Sequence, residues 1–278
     1  MKSIYDKLSF KIAKQTTNDY STSFSLGIRF LASEIRNPIY GIYGFVRLAD
    51  EIVDSFHGYK QQEMLVNLKN ETFEAISNKI STNPILHAFQ AVVNKYNVPL
   101  ELIEQFLHSM EMDLSPQEFD QSKYEEYILG SAEVVGLMCL KVFVYGDEEK
   151  YLHLKPFAMK LGSAFQKINF LRDLKDDYVR LGRTYFPEID MTGFNQETKN
   201  AIEKDIEIDF AEGFEGIKQL PYSTRFGVYI AYVYYSGLLK KIKRTDASVI
   251  LSQRVRIPNS KKFSLFFQSY IKHSFNIL

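Results

Sequence analysis

The chain has 278 residues, of which 45% are hydrophobic and 24% charged, an ordinary balance for a globular protein. Its 34 basic and 34 acidic residues cancel. This excludes the strongly basic character of most nucleic-acid-binding proteins, so we expect no nucleic-acid partner. The single cysteine, Cys139, excludes an internal disulfide and is typical of a reducing compartment such as the cytoplasm.

Almost the whole chain has the residue pattern of α-helices. Glycine and proline are scarce, with 14 and 8 residues, and no segment sustains the apolar-polar alternation of a strand. Pro38 is expected in the first turn of its helix, and the helices, without repeats or linkers, predict one all-α domain over residues 1–278. The predicted helices cover residues 4–18, 37–54, 61–80, 84–94, 99–110, 123–145, 148–181, 196–218 and 221–240, with a loop over 182–194 and a loop or short helices over 244–260.

The apolar and aromatic residues set two further expectations. The most apolar stretch, residues 226–239, is too short to cross a bilayer, which takes about 20 residues. We therefore expect a cytoplasmic protein that contacts a membrane at most peripherally. The 22 Phe and 18 Tyr indicate either a large aromatic core or, in part, the lining of a cavity for a long apolar ligand. Composition does not distinguish these interpretations.

The first candidate site is a pair of aspartates, Asp50 and Asp54, in the helix predicted over residues 37–54. Residues four apart project from the same face of a helix, and two like charges there destabilise it slightly. Their presence favours a positive ligand such as Mg²⁺, which commonly binds one or two carboxylates together with substrate phosphates and water. Arg47 lies three residues before Asp50, within reach of a phosphate oxygen. Alone, this spacing is more often a solvated acidic face.

A second polar row strengthens the functional interpretation. Asn169, Asp173 and Asp177 follow one another at four-residue steps, which drift by only about 40° per step around a helix. Gln166 joins the same face, and the neighbouring positions are apolar residues that we expect in the core. A row of Gln, Asn and Asp beside an apolar stripe indicates the polar wall of a cavity.

Two such helices facing each other across a cavity would hold several divalent cations, Mg²⁺ or alternatively Mn²⁺. Cations that bridge a diphosphate neutralise it as a leaving group. If the rest of the substrate is a prenyl chain, departure of the diphosphate leaves an allylic carbocation. An aromatic-lined helical cavity would shield that ion from water.

Four separated blocks of the sequence resemble the squalene/phytoene synthase family: residues 20–24, 42–54, 127–136 and 166–187. The similarity continues to Arg254-Val255-Arg256 and so covers essentially the whole chain. The resemblance implies an isoprenoid-synthase helical bundle around a central cavity. It also implies a head-to-head (1′-1) condensation of two prenyl diphosphates.

The resemblance further implies roles for individual residues. Tyr127 falls where the family has a tyrosine implicated in ionisation or proton handling, and it joins the four aspartates in the implied catalytic set. The alternative for Tyr127 is a buried ring with a satisfied hydroxyl. The implied metal ligands are Asp50, Asp54, Asn169, Asp173 and Asp177. The implied substrate contacts are Ser21, Ser23, Tyr43, Arg47, Gln166, Asn169 and Arg183.

One departure from the family pattern is Ser131-Ala132-Glu133, where many relatives have a Val-Ala-Gly run. A glutamate that faced a hydrophobic tail would be costly unless paired. We therefore expect Glu133 to point away from the cavity or to pair with a basic residue.

The product is assigned from the run over residues 130–138, which is more similar to phytoene synthases than to squalene synthases. The chain also ends at Leu278 without the C-terminal membrane anchor of eukaryotic squalene synthases. These points favour conversion of two geranylgeranyl diphosphates, through prephytoene diphosphate, to phytoene in carotenoid biosynthesis. No glycine-rich dinucleotide motif follows a strand, and we expect no requirement for NADPH.

Two alternatives remain open. The first is a C30 enzyme that makes presqualene diphosphate, dehydrosqualene or squalene from farnesyl diphosphate. The second is a non-catalytic helical assembly factor that kept the fold and lost the chemistry. Retention of all four aspartates disfavours this second alternative.

Overall fold

The computed structural model describes residues 1–115, 119–177, 185–187 and 193–256. Every regular element within these ranges is helical, which confirms the prediction of an all-α fold. A π-helical segment, Leu129–Glu133, joins the α-helix Gln121–Ile128 to the α-helix Val134–Phe143. The α-helices in chain order are α1 (Lys2–Tyr20), α2 (Thr22–Arg29), α3 (Ser33–Ser55), α4 (Gln61–Asn78), α5 (Pro84–Tyr96), α6 (Leu100–Met112), α7 (Gln121–Ile128), α8 (Val134–Phe143), α9 (Glu148–Asp176), α10 (Gln196–Gln219), α11 (Tyr222–Lys243) and α12 (Ala247–Ile250).

Local capping explains why several helices begin where the sequence predicts. The Asn83 side chain accepts hydrogen bonds from two backbone N–H groups in the first turn of α5, and Pro84 occupies the first helical position. The Asp147 carboxylate caps α9 in the same way, and Glu148 adds a negative charge to that first turn. These caps satisfy donors that would otherwise lack partners.

Several predictions about the helices were wrong. Helix α2 was not predicted; the Ser21 side chain caps it by accepting a hydrogen bond from a backbone N–H at 3.2 Å. Helix α3 begins at Ser33, so Pro38 lies inside the helix rather than in its first turn. This earlier start buries Ile35 completely in the core. The helix predicted over residues 123–145 is divided by the π-helical segment.

Close contacts on both sides hold the π-helical segment in place. A Cβ atom at Gly130 would lie 2.6 Å from the carbonyl oxygen of Gln105 in α6, so only glycine permits this approach. A Cβ atom at Gly162 of α9 would lie 2.9 Å from the carbonyl oxygen of Ala132. The segment is therefore packed backbone to backbone between α6 and α9, and π-helical turns of this kind are frequent at functional sites.

The buried apolar residues form two main clusters. One cluster joins α1, α3, α4, α5, α6 and α8. At its centre, the rings of Phe45 and Phe89 are fully buried and stack with centroids 4.0 Å apart. Each ring contributes roughly 1.5–3 kcal/mol through its removal from water. The other cluster joins α7, α9, α10, α11 and α12. No helix in the described ranges is long and apolar enough to cross a membrane.

Candidate active site

A cavity of about 670 Å³ lies within the bundle, and helices from both clusters line it. Along α3 and α9 the lining changes character: it is apolar in the N-terminal half of each helix and polar in the C-terminal half. Arg183 lies outside the described residues. The other sequence-predicted site residues all line this cavity: Ser21, Ser23, Tyr43, Arg47, Asp50, Asp54, Tyr127, Gln166, Asn169, Asp173 and Asp177.

The first acidic row, Asp50 and Asp54, lies near the C-terminal end of α3. Burial, together with the negative charge of Asp54, raises the pKa of the Asp50 carboxyl to about 7. The Arg47 guanidinium offsets this shift only in part, because it pairs with Glu51 and its nearest approach to Asp50 is 3.8 Å. The Asp50 carboxylate is therefore short of positive charge.

Arg47 itself is held in a defined position with one donor unused. Its guanidinium lies over the ring of Tyr20, 4.2 Å from the centroid. Its Nε is buried and has no hydrogen-bond partner among the described residues. A buried N–H without a partner is costly, so a ligand that supplied an acceptor oxygen here would be stabilised.

In the second acidic row, on α9, the Asp173 carboxylate is closely paired with arginines. Arg172 donates to both oxygens of Asp173, at 2.9 and 2.5 Å, and Arg254 contacts the same carboxylate at 2.6 and 3.3 Å. Asn169 Oδ1 accepts a hydrogen bond from Tyr235 at 3.3 Å, and its Nδ2 donates to Gln166 at 3.4 Å. This row is thus surrounded by cationic and amide groups that can bind an anion.

The N-terminus of α2 adds a further attraction for anions. Ser21 caps the helix, Ser23 lies in its first turn, and both line the cavity. Tyr43, on α3, also lines the cavity, and its ring is 6.0 Å from that of Phe24 in α2. Free backbone N–H groups and the helix dipole make such an end favourable for phosphate groups.

Tyr127 is buried against a carboxylate that the sequence did not indicate as a site residue. Its hydroxyl donates to Asp113 at 2.7 Å, and the Tyr185 hydroxyl donates to the other oxygen of the same carboxylate at 3.0 Å. Burial, followed by the charge of Asp113, raises the pKa of Tyr127 well above its usual range. Asp113 follows the end of α6 without an acidic partner at helical spacing, so no periodic pattern marks it.

The apolar part of the cavity is built from aliphatic side chains, aromatic rings and small residues. Phe165 and Tyr235 stack with centroids 4.1 Å apart, and both line it. Gly136 lines it from α8, together with Cys139. Burial raises the pKa of the Cys139 thiol to about 12, which keeps it protonated and agrees with a packed rather than reactive cysteine.

Glu133 is absent from the cavity lining among the described residues, in agreement with the expectation that it points away. It lies beside a buried ion network in which Lys160 and Lys167 contact Asp209 at 2.9 and 2.7 Å. Burial, and then the charge of Asp209, raises the pKa of Glu133 to about 7 despite the two lysines. Ser131, on the same π-helical segment, does line the cavity.

The donor set of the acidic rows is chemically suited to a hard divalent cation, since it offers carboxylate and amide oxygens. The pKa of Asp50 is raised by burial and by Asp54, and the nearby Arg47 offsets that shift only in part. Within the described part of the chain, however, no three His, Cys, Asp or Glu side chains are grouped closely enough to form a metal site alone. Oxygen ligands from a substrate or water would complete the coordination of a cation bound to these rows.

Comparisons of the sequence with known proteins point to one family. A model of the squalene/phytoene synthase family matches residues 17–261. A phytoene synthase of Arthrospira platensis is 26% identical over 91% of this chain and 90% of its own length. A 4,4'-diapophytoene synthase of Staphylococcus haemolyticus is 24% identical over 93% of this chain and 95% of its own length.

The fold comparison gives the same answer. A dehydrosqualene synthase solved in complex with a ligand has a TM-score of 0.81 to this chain at 23% identity, over 96% of this chain and 98% of that one. The implied isoprenoid-synthase helical bundle is thereby confirmed. Because the family model spans most of the sequence, the chain belongs to the squalene/phytoene synthase family.

Proposed function

We propose that this protein condenses two prenyl diphosphates head to head, with Mg²⁺ or Mn²⁺ bound between the acidic rows. The observation that carries the proposal is the division of one cavity into a polar part, with acidic rows and arginines, and an aromatic apolar part. A diphosphate group matches the first and a prenyl tail matches the second. Homologues named for such condensations support the same reaction class.

In this proposal Asp50, Asp54, Asn169, Asp173 and Asp177 hold the divalent cations. Once bound, the cations supply positive charge that stabilises the departing diphosphate. A solvated cation also keeps several ligand positions for water and substrate oxygens, which suits the sparse set of protein ligands.

The chain's own cations and dipoles would bind the rest of the diphosphate. The unused Nε of Arg47 supplies one donor, and the N-terminus of α2 at Ser21 and Ser23 supplies others. The aromatic walls, including Phe165 and Tyr235, would exclude water from the carbocation left after ionisation.

We further propose that the tails are those of geranylgeranyl diphosphate and that the product is phytoene, formed through prephytoene diphosphate without NADPH. Support comes from the phytoene-like run over residues 130–138 and from the phytoene synthase relative. A C30 reaction from farnesyl diphosphate is the second candidate, because the diapophytoene synthase relative is similar at nearly the same identity. Magnesium, the substrate length and the reductant are therefore all points for experiment.

The deciding experiment is to incubate the protein with Mg²⁺ and either geranylgeranyl or farnesyl diphosphate, with and without NADPH. The extracted products are then identified by mass spectrometry. We expect phytoene from geranylgeranyl diphosphate without reductant. Product from farnesyl diphosphate alone would replace this assignment with the C30 reaction, and a requirement for NADPH would indicate a squalene-type reaction. Equal activity in a chelating buffer would contradict the role of the divalent cation.

A further inference from the structure

One carboxylate, Asp113, collects the hydroxyl groups of two tyrosines on the cavity wall. Tyr127 reaches Asp113 Oδ2 at 2.7 Å and Tyr185 reaches Oδ1 at 3.0 Å. All three residues line the cavity. Asp113 follows α6, Tyr127 is on α7, and Tyr185 belongs to the described segment 185–187, so the carboxylate joins three separate parts of the chain.

Packing leaves the two phenol rings little freedom to turn away. Tyr127 is 4% exposed and Tyr185 is 6% exposed. The Tyr185 ring stacks on Phe170 with centroids 4.3 Å apart, and Phe119 meets Tyr127 edge-on at 5.5 Å. The positions of both hydroxyl oxygens are therefore fixed by the surrounding rings.

The direction of the Tyr127 O–H bond follows from simple counting. An ionised carboxylate only accepts hydrogen bonds, and a tyrosine has a single O–H to donate. The phenolic proton of Tyr127, whose oxygen is 2.7 Å from the carboxylate, is therefore used on Asp113. The two phenol oxygens are 3.4 Å apart, too long to compete with the 2.7 and 3.0 Å bonds to the carboxylate. What remains on the Tyr127 oxygen is its lone pairs.

We propose that Asp113 is a positioning residue for the carbocation chemistry: it takes the phenolic proton of Tyr127, so that Tyr127 presents oxygen lone pairs to the substrate. This inference rests on the proposed function. Lone pairs held in fixed directions stabilise positive charge that develops on the prenyl fragment when the diphosphate leaves. Tyr127 then acts on the cation and does not donate its proton to the leaving group.

Two roles for Tyr127 are thereby separated by experiment. A hydroxyl that donated to the leaving group would contribute to diphosphate binding, and its removal would weaken binding of inorganic diphosphate. A hydroxyl that only presents lone pairs to the cation leaves that binding unchanged. Calorimetric titration of Mg²⁺ with inorganic diphosphate into wild type and Tyr127→Phe measures this directly, without turnover.

The kinetic test compares Asp113→Asn, Tyr127→Phe and their combination, using whichever prenyl diphosphate the wild type accepts. The amide of Asp113→Asn donates to one phenol oxygen and so turns that O–H toward the substrate. We expect kcat to fall about 100-fold while KM stays within about threefold, as for loss of one fixed dipole at a reacting centre. The double variant should lose little more than either single variant, because residues that act as a unit are not additive.

Tyr124→Phe is the matched control. Tyr124 belongs to the same aromatic cluster, with its ring 6.2 Å from Phe170, but it does not line the cavity. It should keep kcat within about twofold. If Asp113→Asn fails to fold, Tyr127→Phe combined with Tyr185→Phe removes both hydroxyls while keeping the rings, and it should show the same loss of kcat.

The inference is overturned if Asp113→Asn keeps kcat within about threefold, if the losses multiply, or if Tyr127→Phe weakens diphosphate binding tenfold. A wild-type protein that makes no product from either prenyl diphosphate would overturn the proposed function, and this inference with it. The behaviour of the wild type therefore tells the two failures apart.

Discussion

The two acidic rows of the cavity are alike in spacing and different in electrostatics. On α3, Asp50 has one arginine at 3.8 Å, and burial and Asp54 raise its pKa to about 7. On α9, Asp173 is contacted by both Arg172 and Arg254. Asp50 is thus only partly neutralised within the protein, whereas Asp173 is contacted by two guanidinium groups.

Because of this difference, we expect the two rows to respond differently when a cation binds. The α3 row is where an added cation removes the most electrostatic repulsion, because no side chain neutralises Asp50 fully. On the α9 row, a cation that bound Asp173 would compete with two guanidinium groups. Those groups would then be released to bind an anion such as diphosphate. Metal and diphosphate binding are thus expected to assist each other.

The largest effects are expected when one carboxylate is removed from each row, and these variants test the electrostatic difference between the rows. Asp50→Asn and Asp173→Asn should each lower product formation by more than about 100-fold, since both are proposed metal ligands. Their effects on stability should differ in sign. Asp50→Asn removes a disfavoured charge and should leave the free energy of unfolding unchanged or higher at pH 8. Asp173→Asn deprives two arginines of their carboxylate and should cost about 1–3 kcal/mol.

Product assays and denaturant unfolding in metal-free buffer measure these effects. Asp176→Asn is the matched control, because Asp176 neighbours the α9 row without lining the cavity. It should leave activity within about twofold of the wild type. Equal stabilities for Asp50→Asn and Asp173→Asn would show that the two rows do not differ as described.

The sequence predicted the acidic rows well because helical periodicity determines which residues share a face. Asp50 and Asp54, and Asn169 with Asp173, needed only their spacing to be placed together. Most long helices were predicted for the same reason. The boundaries that failed depend on contacts distant in sequence, such as the burial of Ile35, which starts α3 early.

The partners of the rows were not predictable in this way. Arg254 reaches Asp173 across 81 positions, and Tyr185 reaches Asp113 across 72. No local pattern specifies such pairs. The π-helical turn also escaped prediction, because it depends on Gly130 packing against the backbone of α6. Within this segment, Ser131 lines the cavity and Glu133 does not.

A smaller effect is expected at Arg254, which distinguishes the α9 row from the α3 row. Arg254→Gln removes one guanidinium from Asp173 and one cavity cation. The substrate KM should rise about tenfold, since a charge-assisted hydrogen bond to phosphate is lost. The metal-free stability should fall by no more than about 1 kcal/mol, because this pair is partly exposed. Arg256→Gln, an exposed neighbour outside the lining, is the control, and an equal rise in KM there would contradict a specific role for Arg254.

The smallest predicted effect is on the pH dependence of stability. It concerns Glu133, a carboxylate outside the cavity that can be compared with Asp50. Glu133, like Asp50, has a pKa raised to about 7, in its case from an ordinary value of 4.5. Between these two values the folded state binds more protons than the unfolded state. Stability therefore falls as pH rises through this window and is greatest at its acidic end. Glu133→Gln should make the decrease in unfolding free energy between pH 5 and pH 8 shallower.

In Glu133→Gln, the unfolding free energy should still decrease between pH 5 and pH 8, because the raised pKa of Asp50 has the same effect. Combining Glu133→Gln with Asp50→Asn should flatten it further. Activity should distinguish the two sites. Glu133→Gln should keep turnover within a few-fold of the wild type, since Glu133 does not line the cavity, whereas Asp50→Asn should lose most turnover. Glu74→Gln, at an exposed position on α4, controls for the loss of one negative charge. If Glu133→Gln and Glu74→Gln unfold with the same pH dependence as the wild type, burial of Glu133 does not disfavour its charged form.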